Sequence, residues 1–185
     1  MIMNGTQASG FKDLQTDAND THVLSGVQAQ DRRALEKLYL TYYGPLARFL
    51  SRIVAPTSAV EEIINDTFMT IWQCAMEFRG ESRVAAWIFG ILYRTALQSV
   101  GPLRLRGRLP FAEIFRRHDT EFVTENPYND RLERCLNRLP LEERITLALA
   151  YQMGFSIEEI SAITQVAPAT VEMRIFQARR RLRDD

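Results

Sequence analysis

The sequence predicts an all-α fold: two small helical domains joined by a flexible linker. Three observations lead there. Apolar residues recur at three- and four-residue steps along most of the chain, and no stretch alternates with a period of two. Between Gly101 and Pro127 the helical period gives way to glycine, proline and arginine. The expected division is therefore a disordered segment over residues 1–20, a first domain over 21–100, a linker over 101–127 and a second domain over 128–185.

The opening segment is rich in Gly, Ser, Thr, Asn and Asp, a composition that cannot bury enough apolar surface to fold. Thr21 to Ala29 reads as a short turn or helix. Asp31 then caps a long helix whose apolar face carries Leu35, Leu38, Tyr39, Tyr42, Leu46, Phe49, Leu50 and Ile53. Gly44-Pro45 should kink or break it, because proline lacks the N–H that the helix interior needs. Pro56-Thr57-Ser58 stops that run. A helix from Ser58 to Phe78 follows, with Val60, Ile63, Ile64, Phe68, Ile71, Trp72 and Ala75 buried. After a loop at Phe78 to Ser82, another helix runs from Arg83 to Val100 through Trp87, Ile88, Ile91, Leu92 and Ala96, ending at Gly101-Pro102. A short helix from Phe111 to Arg117 fits within the linker. Helical signals resume at Tyr128 to Leu139 and Leu141 to Met153.

The last thirty residues are the most informative. Ile157, Ile160, Ile163 and Val166 form one apolar series, and Val171, Ile175, Ala178 and Leu182 a second, opened by Pro168. Proline suits a first helical turn, where its missing N–H would be unpaired anyway. Arg174, Arg179, Arg180, Arg181 and Arg183 follow. Two short helices with a tight connection, arginines on the second, suit a helix-turn-helix that enters a major groove. Function thus lies in nucleic-acid recognition, not catalysis.

Composition agrees with a protein that meets DNA inside a larger assembly. The 185 residues carry no net charge, yet Gly101 to His118 holds Arg104, Arg106, Arg108, Arg116 and Arg117 against Glu113 alone. Cys74 and Cys135 fall on apolar helical patterns and read as buried, reduced thiols. His22 and His118 have no Cys or acidic partner at ligand spacing, so neither a metal nor another cofactor is expected. No apolar run reaches the roughly 20 residues of a membrane span and no signal peptide is visible, so a cytoplasmic protein is expected.

Glu61, Glu62 and Asp66 lie opposite the apolar stripe of their helix. From the residues alone they are either an ordinary solvated face or a dock for a basic partner. No His, Ser or Cys is placed to turn them into acid–base catalysts, so no catalytic residues and no small-molecule substrate are expected. The loop Phe78-Arg79-Gly80-Glu81-Ser82, with Arg83, Tyr93 and Arg94 after it, offers aromatic and guanidinium planes on which unpaired bases can stack. Trp87 reads at least partly as core.

These residues carry a resemblance. Leu38-Tyr39 through Leu50, Val60 to Phe68, Phe78 to Ser82 and Trp87-Ile88 resemble region two of bacterial sigma factors. Leu139 to Arg144, Tyr151, Gly154-Phe155-Ser156, Glu158-Glu159-Ile160, Thr170-Val171, Arg174 and Ala178-Arg179 resemble region four. Two regions with a short linker is the layout of the extracytoplasmic-function group of the sigma-70 family, and the resemblance spans Thr21 to Arg183. It implies a promoter-recognition subunit of RNA polymerase. Region two would dock on the β′ coiled coil through Glu61, Glu62, Asn65, Asp66 and Gln73. Phe78, Arg79, Gly80, Glu81, Ser82, Arg83, Tyr93 and Arg94 would melt and grip the −10 element. Region four would meet the β flap and read the −35 element with Pro168, Ala169, Thr170, Glu172, Met173, Arg174, Gln177 and Arg180. The linker would thread into the polymerase, and an anti-sigma protein, often at the membrane, would hold the factor inactive.

Some positions depart from the family pattern. Gln165 stands where the helix-turn-helix usually has glycine, Ala167 where a Ser or Thr cap is usual, and Glu172 where lysine is frequent. Arg94 and Gln98 replace frequent Asn and Asp. Promoter preference should differ accordingly. The competing readings are a stand-alone helix-turn-helix regulator, whose first module dimerises or senses a ligand, and a degenerate factor that binds polymerase without initiating.

Overall fold

A computed structural model describes residues 14–51, 53, 58–104, 135–136 and 138–184, and every regular element among them is helical. The first domain holds α1 (Leu14–Gln28), α2 (Arg32–Leu50), α3 (Ser58–Cys74), a 3-10 turn (Ala75–Glu77) and α4 (Val84–Arg104). The second holds α5 (Leu141–Leu147), a π-helical turn (Ala148–Gln152), α6 (Ile157–Thr164) and α7 (Pro168–Asp184). The linker's suggested helix at Phe111 to Arg117 and most of the Tyr128 to Leu139 segment lie outside the described residues.

Three boundaries differ from expectation. α1 starts at Leu14, inside the stretch expected to be disordered. Its composition is polar, but Asp20, Val23, Leu24 and Val27 face the core, and tertiary burial overrides weak propensity. Pro45 does not break α2, which runs unbroken from Arg32 to Leu50. The carbonyl that Pro45 deprives of a donor belongs to exposed Thr41, where water can replace it. α4 likewise continues through Gly101-Pro102 to Arg104.

α1 and α2 form a tight hairpin. Gln30 takes a left-handed conformation, φ 60°, and Asp31 caps α2 by accepting from the Arg33 backbone N–H at 2.9 Å. Gly26 permits the close approach: a Cβ there would stand 2.7 Å from the Ala34 Cβ. Tyr42, Phe49, Ile63, Ile64, Ile71, Ile88, Phe89 and Leu92 then build the core of the first domain.

That core does not stop at the domain boundary. Ile145, Leu149, Met153, Phe155, Ile160 and Ile163 of the second domain are buried in the same apolar cluster. Phe89 carries the continuity. Its ring meets Phe49 edge-on at 5.5 Å and Phe155 edge-on at 5.1 Å.

Candidate nucleic-acid interface

The helix-turn-helix is built from local rules. Ser156 caps α6 with a reciprocal pair of bonds: its Oγ accepts from the Glu159 backbone N–H at 3.2 Å, and its own N–H donates to Glu159 Oε2 at 2.8 Å. α6 ends at Gln165 with φ 59°, the left-handed conformation that costs a side-chain-bearing residue about 1–2 kcal/mol. Ser161 Oγ donates to the Val166 carbonyl at 2.6 Å and braces the turn. Ala167 supplies only its carbonyl, which accepts from Thr170 and Val171.

Val171 and Ala178 anchor α7 inward and are fully buried. Pro168, Ala169, Thr170, Glu172, Met173, Gln177 and Arg180 all reach solvent, so seven of the eight residues expected on the −35 surface are exposed. The eighth, Arg174, is half-buried and leans toward α4, where its charge bears on Tyr93. Two exposed apolar side chains, Met173 and Phe176, stand on the same helix. Behind it, Arg179 lies over the Tyr151 ring at 5.3 Å and donates to its hydroxyl. Arg181 reaches to 3.3 Å from the buried Glu143 carboxylate, close enough for an ion pair but without hydrogen-bond geometry.

The expected −10 residues divide into two groups. Arg79, Gly80, Glu81 and Ser82 are exposed on a loop that turns at Gly80, φ 75°. Phe78 opens that loop half-buried, packed on Trp87 at 5.3 Å. Gln28, at the end of α1, fixes its start by donating to the carbonyls of Ala75 at 3.1 Å and Phe78 at 3.3 Å. Sequence reasoning had no signal for Gln28, because the contact joins segments about fifty positions apart.

The other group faces the second domain. Arg83 is tied by two bonds to Glu159, Nε to Oε1 at 2.5 Å and Nη2 to Oε2 at 2.6 Å. That hydrogen-bonded pairing holds the guanidinium above its ordinary pKa, against the opposing effect of burial. Its plane also lies 5.4 Å from the Phe155 ring. Tyr93 is half-buried, its hydroxyl pushed up by desolvation. Arg94 remains exposed. In the sequence Glu159 stood out only within Glu158-Glu159-Ile160 of the region-four resemblance; that it caps α6 and pairs with Arg83 is seen only in the structure.

Glu61, Glu62, Asn65, Asp66 and Gln73 are all exposed along α3, and Val60, Ile63, Ile64, Phe68 and Ile71 bury its other face. Asn65 accepts from the Tyr39 hydroxyl at 3.5 Å. Exposed Met69 shares this helix, and exposed Leu40 lies on α2. Among the described residues, no group of three His, Cys, Asp or Glu is placed to hold a metal, and no helix is long and apolar enough to cross a membrane.

Comparison with known proteins finds two families that match separate parts of the chain. Residues 38–102 match the family described as Sigma-70 region 2, and residues 129–182 match Sigma-70, region 4. The RNA polymerase sigma-H factor of Pseudomonas aeruginosa is 28% identical over 182 residues, covering 90% of this chain and 93% of that one. The ECF RNA polymerase sigma-E factor of Escherichia coli is 29% identical over 182 residues, with the same coverage of 90% and 93%. The ECF RNA polymerase sigma factor SigM of Mycobacterium tuberculosis is 26% identical over 167 residues, covering 90% and 84%. Among solved structures, CnrH in complex with the cytosolic domain of CnrY shares the fold, with TM-score 0.67 and 22% identity over 89% of this chain and 95% of that one. RpoE in complex with the anti-sigma factor NepR, from Bartonella quintana, superposes with TM-score 0.59 at 25% identity, covering 80% and 94%.

Proposed function

The chain belongs to the sigma-70 family, in its extracytoplasmic-function group, and is a sigma factor for promoter-specific transcription initiation; on that premise we propose how its parts divide the work. The first domain, from the start of α1 at Leu14 to the end of α4 at Arg104, acts as region two, the stretch from there to residue 127 as the linker through the polymerase and 128–185 as region four. The acidic face of α3, Glu61, Glu62, Asn65, Asp66 and Gln73, docks on the β′ coiled coil. The Phe78 to Ser82 loop, with Arg83, Tyr93 and Arg94, takes the −10 strand. α7 enters the −35 major groove with Pro168, Ala169, Thr170, Glu172, Met173, Arg174, Gln177 and Arg180, and region four meets the β flap. The factor itself catalyses nothing.

One observation supports this reading above others. The same chain exposes an acidic face on α3, whose opposite side is core, and a polar, arginine-bearing face on α7. A stand-alone regulator would need the second but not the first. Zero net charge fits as well, since the polymerase then supplies much of the attraction for DNA. Two solved structures of similar fold are complexes with CnrY and with NepR. We extend that to an anti-sigma partner for this chain, which works in the cytoplasm and is held at the membrane when that partner is.

Run-off transcription with purified core polymerase and genomic DNA tests the assignment. Transcripts should appear only with both proteins, and core binding without any transcript would overturn it. Within the −35 surface, Glu172 is the residue to change. A carboxylate repels phosphate yet can accept from cytosine N4. Glu172→Lys should therefore change relative use of −35 variants by about tenfold, the size of one good base contact. Unchanged promoter selection would remove Glu172 from the reading surface.

A further inference from the structure

The outward face of α7 has an apolar centre. Val171 and Ala178 fix the buried side of the helix, and residues advance by about 100° around its axis. The middle of the opposite side therefore falls on Ala169, Met173, Phe176 and Arg180, with Glu172 and Gln177 at its two margins, and all six are exposed. Met173 keeps 54% of its surface in solvent and Phe176 62%. The helix has already met its need for a core through Val171, Ile175, Ala178 and Leu182. Two large apolar side chains standing together in water, rimmed by polar groups, mark a contact surface.

We propose that Ala169, Met173 and Phe176 read the 5-methyl groups of neighbouring thymines in the −35 duplex, so that this factor selects its −35 element by apolar contact. The proposal rests on the functional reading above, which puts α7 in the major groove. Charge argues for DNA as the occupant: from Pro168 to Asp184 the helix carries Arg174, Arg179, Arg180, Arg181 and Arg183 against Glu172 and Asp184. Of the four bases, thymine alone shows a methyl group in the major groove, and an apolar side chain is its complement. Reading guanine takes arginine or lysine on O6 and N7. The N-terminal residues of a recognition helix are the ones that reach base edges, and here the ridge is apolar until Arg180. Gln177 lies one turn beyond Met173, and glutamine pairs with N6 and N7 of adenine, the partner of thymine. Together the two side chains match an A·T pair. Ala169 to Phe176 spans about 10 Å of helix axis, about three base-pair steps of about 3.4 Å, which gives room for two or three thymines.

Deoxyuridine is the probe, because it keeps the pairing and the O4 acceptor of thymine and lacks only the methyl group. The full chain and core polymerase transcribe a promoter found by the run-off assay, with each −35 thymine replaced in turn. At sub-saturating factor, transcription should fall about fourfold for each methyl that Met173 or Phe176 covers, and the same replacement in the spacer should have no effect. Met173→Ala and Phe176→Ala should each lower transcription from the natural template by a similar factor and abolish the matching deoxyuridine penalty, since the methyl then has no partner to lose. Both side chains are exposed, so the thermal midpoint should stay close to the parental value. A −35 element that tolerates deoxyuridine throughout overturns the proposal, and a loss confined to the alanine variants would then assign the patch to a protein partner. A penalty that persists undiminished in both variants also overturns it, because the methyl groups would then act through DNA shape. If no template is transcribed at all, the sigma-factor reading falls and this proposal with it.

Discussion

The two surfaces proposed to face DNA are built in opposite ways. The α7 surface is a helix with the side chains proposed to read DNA in solvent and its anchors, Val171 and Ala178, beneath them. The α4 surface has its side chains engaged: Arg83 with Glu159, Tyr93 half-buried, Phe78 on Trp87 and the loop tied down by Gln28. A groove-reading helix needs only to be presented, because duplex DNA offers its base edges without rearrangement. A strand-gripping site must act on bases removed from their stack, and groups that grip one strand will bind any other anion within reach. The difference shows why one surface can stand open while the other is covered.

Substitutions can break or sharpen that contrast. The largest effect should come from Phe89→Ala, which removes the ring shared by Phe49 and Phe155. It should cost about 3–5 kcal/mol. In urea unfolding followed by fluorescence, a single transition should split in two as the domains uncouple. An unsplit transition with only a small shift would mean that Phe89 does not couple them.

Next comes the buried bond between α1 and α2. Tyr42 donates to the buried Asp20 carboxylate at 2.5 Å, linking α2 to α1. Tyr42→Phe leaves that carboxylate unpaired and should cost about 1–3 kcal/mol by the same measurement. Burial raises the Asp20 carboxyl above its ordinary value of 3.8, the Tyr42 bond offsetting only part of this. A raised folded pKa means that the folded state holds the proton more tightly than the unfolded one. The contribution to stability is thus full below 3.8 and is lost as pH rises through the folded value. Asp20→Asn keeps an acceptor for Tyr42 and should abolish that loss. Denaturation midpoints compared between about pH 4 and about pH 7 should show the parent, not the variant, declining on this account.

Gln28→Ala should cost about 1–2 kcal/mol, the worth of two ordinary hydrogen bonds. Its more telling effect is on promoter opening, read from 2-aminopurine fluorescence in the −10 strand, which should slow while −35 duplex affinity stays constant. Equal losses in both would mean that Gln28 merely stabilises the fold. The smallest effect belongs to the other surface. Gln165→Gly relieves the left-handed strain at φ 59° and should raise stability by about 1 kcal/mol, seen as a higher thermal midpoint. A lower midpoint would mean that the Gln165 side chain contributes more than its backbone strain costs.

Most of the helices were legible because the 3.6-residue period is a local property. Leu38, Tyr42, Leu46, Phe49 and Leu50 all proved buried on α2 as their spacing required. The errors fell where long-range packing overrules local preference. Polar α1 folds because Val23, Leu24 and Val27 find a core, and α2 continues through Pro45, whose ring packs into that core while Thr41, four residues before it, is exposed. The expected surface of α7 was read nearly whole, since exposure on a helix follows from the positions of its anchors. Arg174 is the exception, half-buried with its charge bearing on Tyr93 of α4.

By itself, then, the sequence determined the all-helical class, the position of the helix-turn-helix and the unusual Gln165 in its turn, because each depends on residues a few positions apart. Only the tertiary structure decided that Gln28 would clamp the Phe78 loop and that Glu159 would take Arg83, 76 positions away. Such pairings arise when separately formed helices bury a common apolar surface. Which polar groups then meet at its margin is fixed by packing angle and register, and no local pattern encodes those.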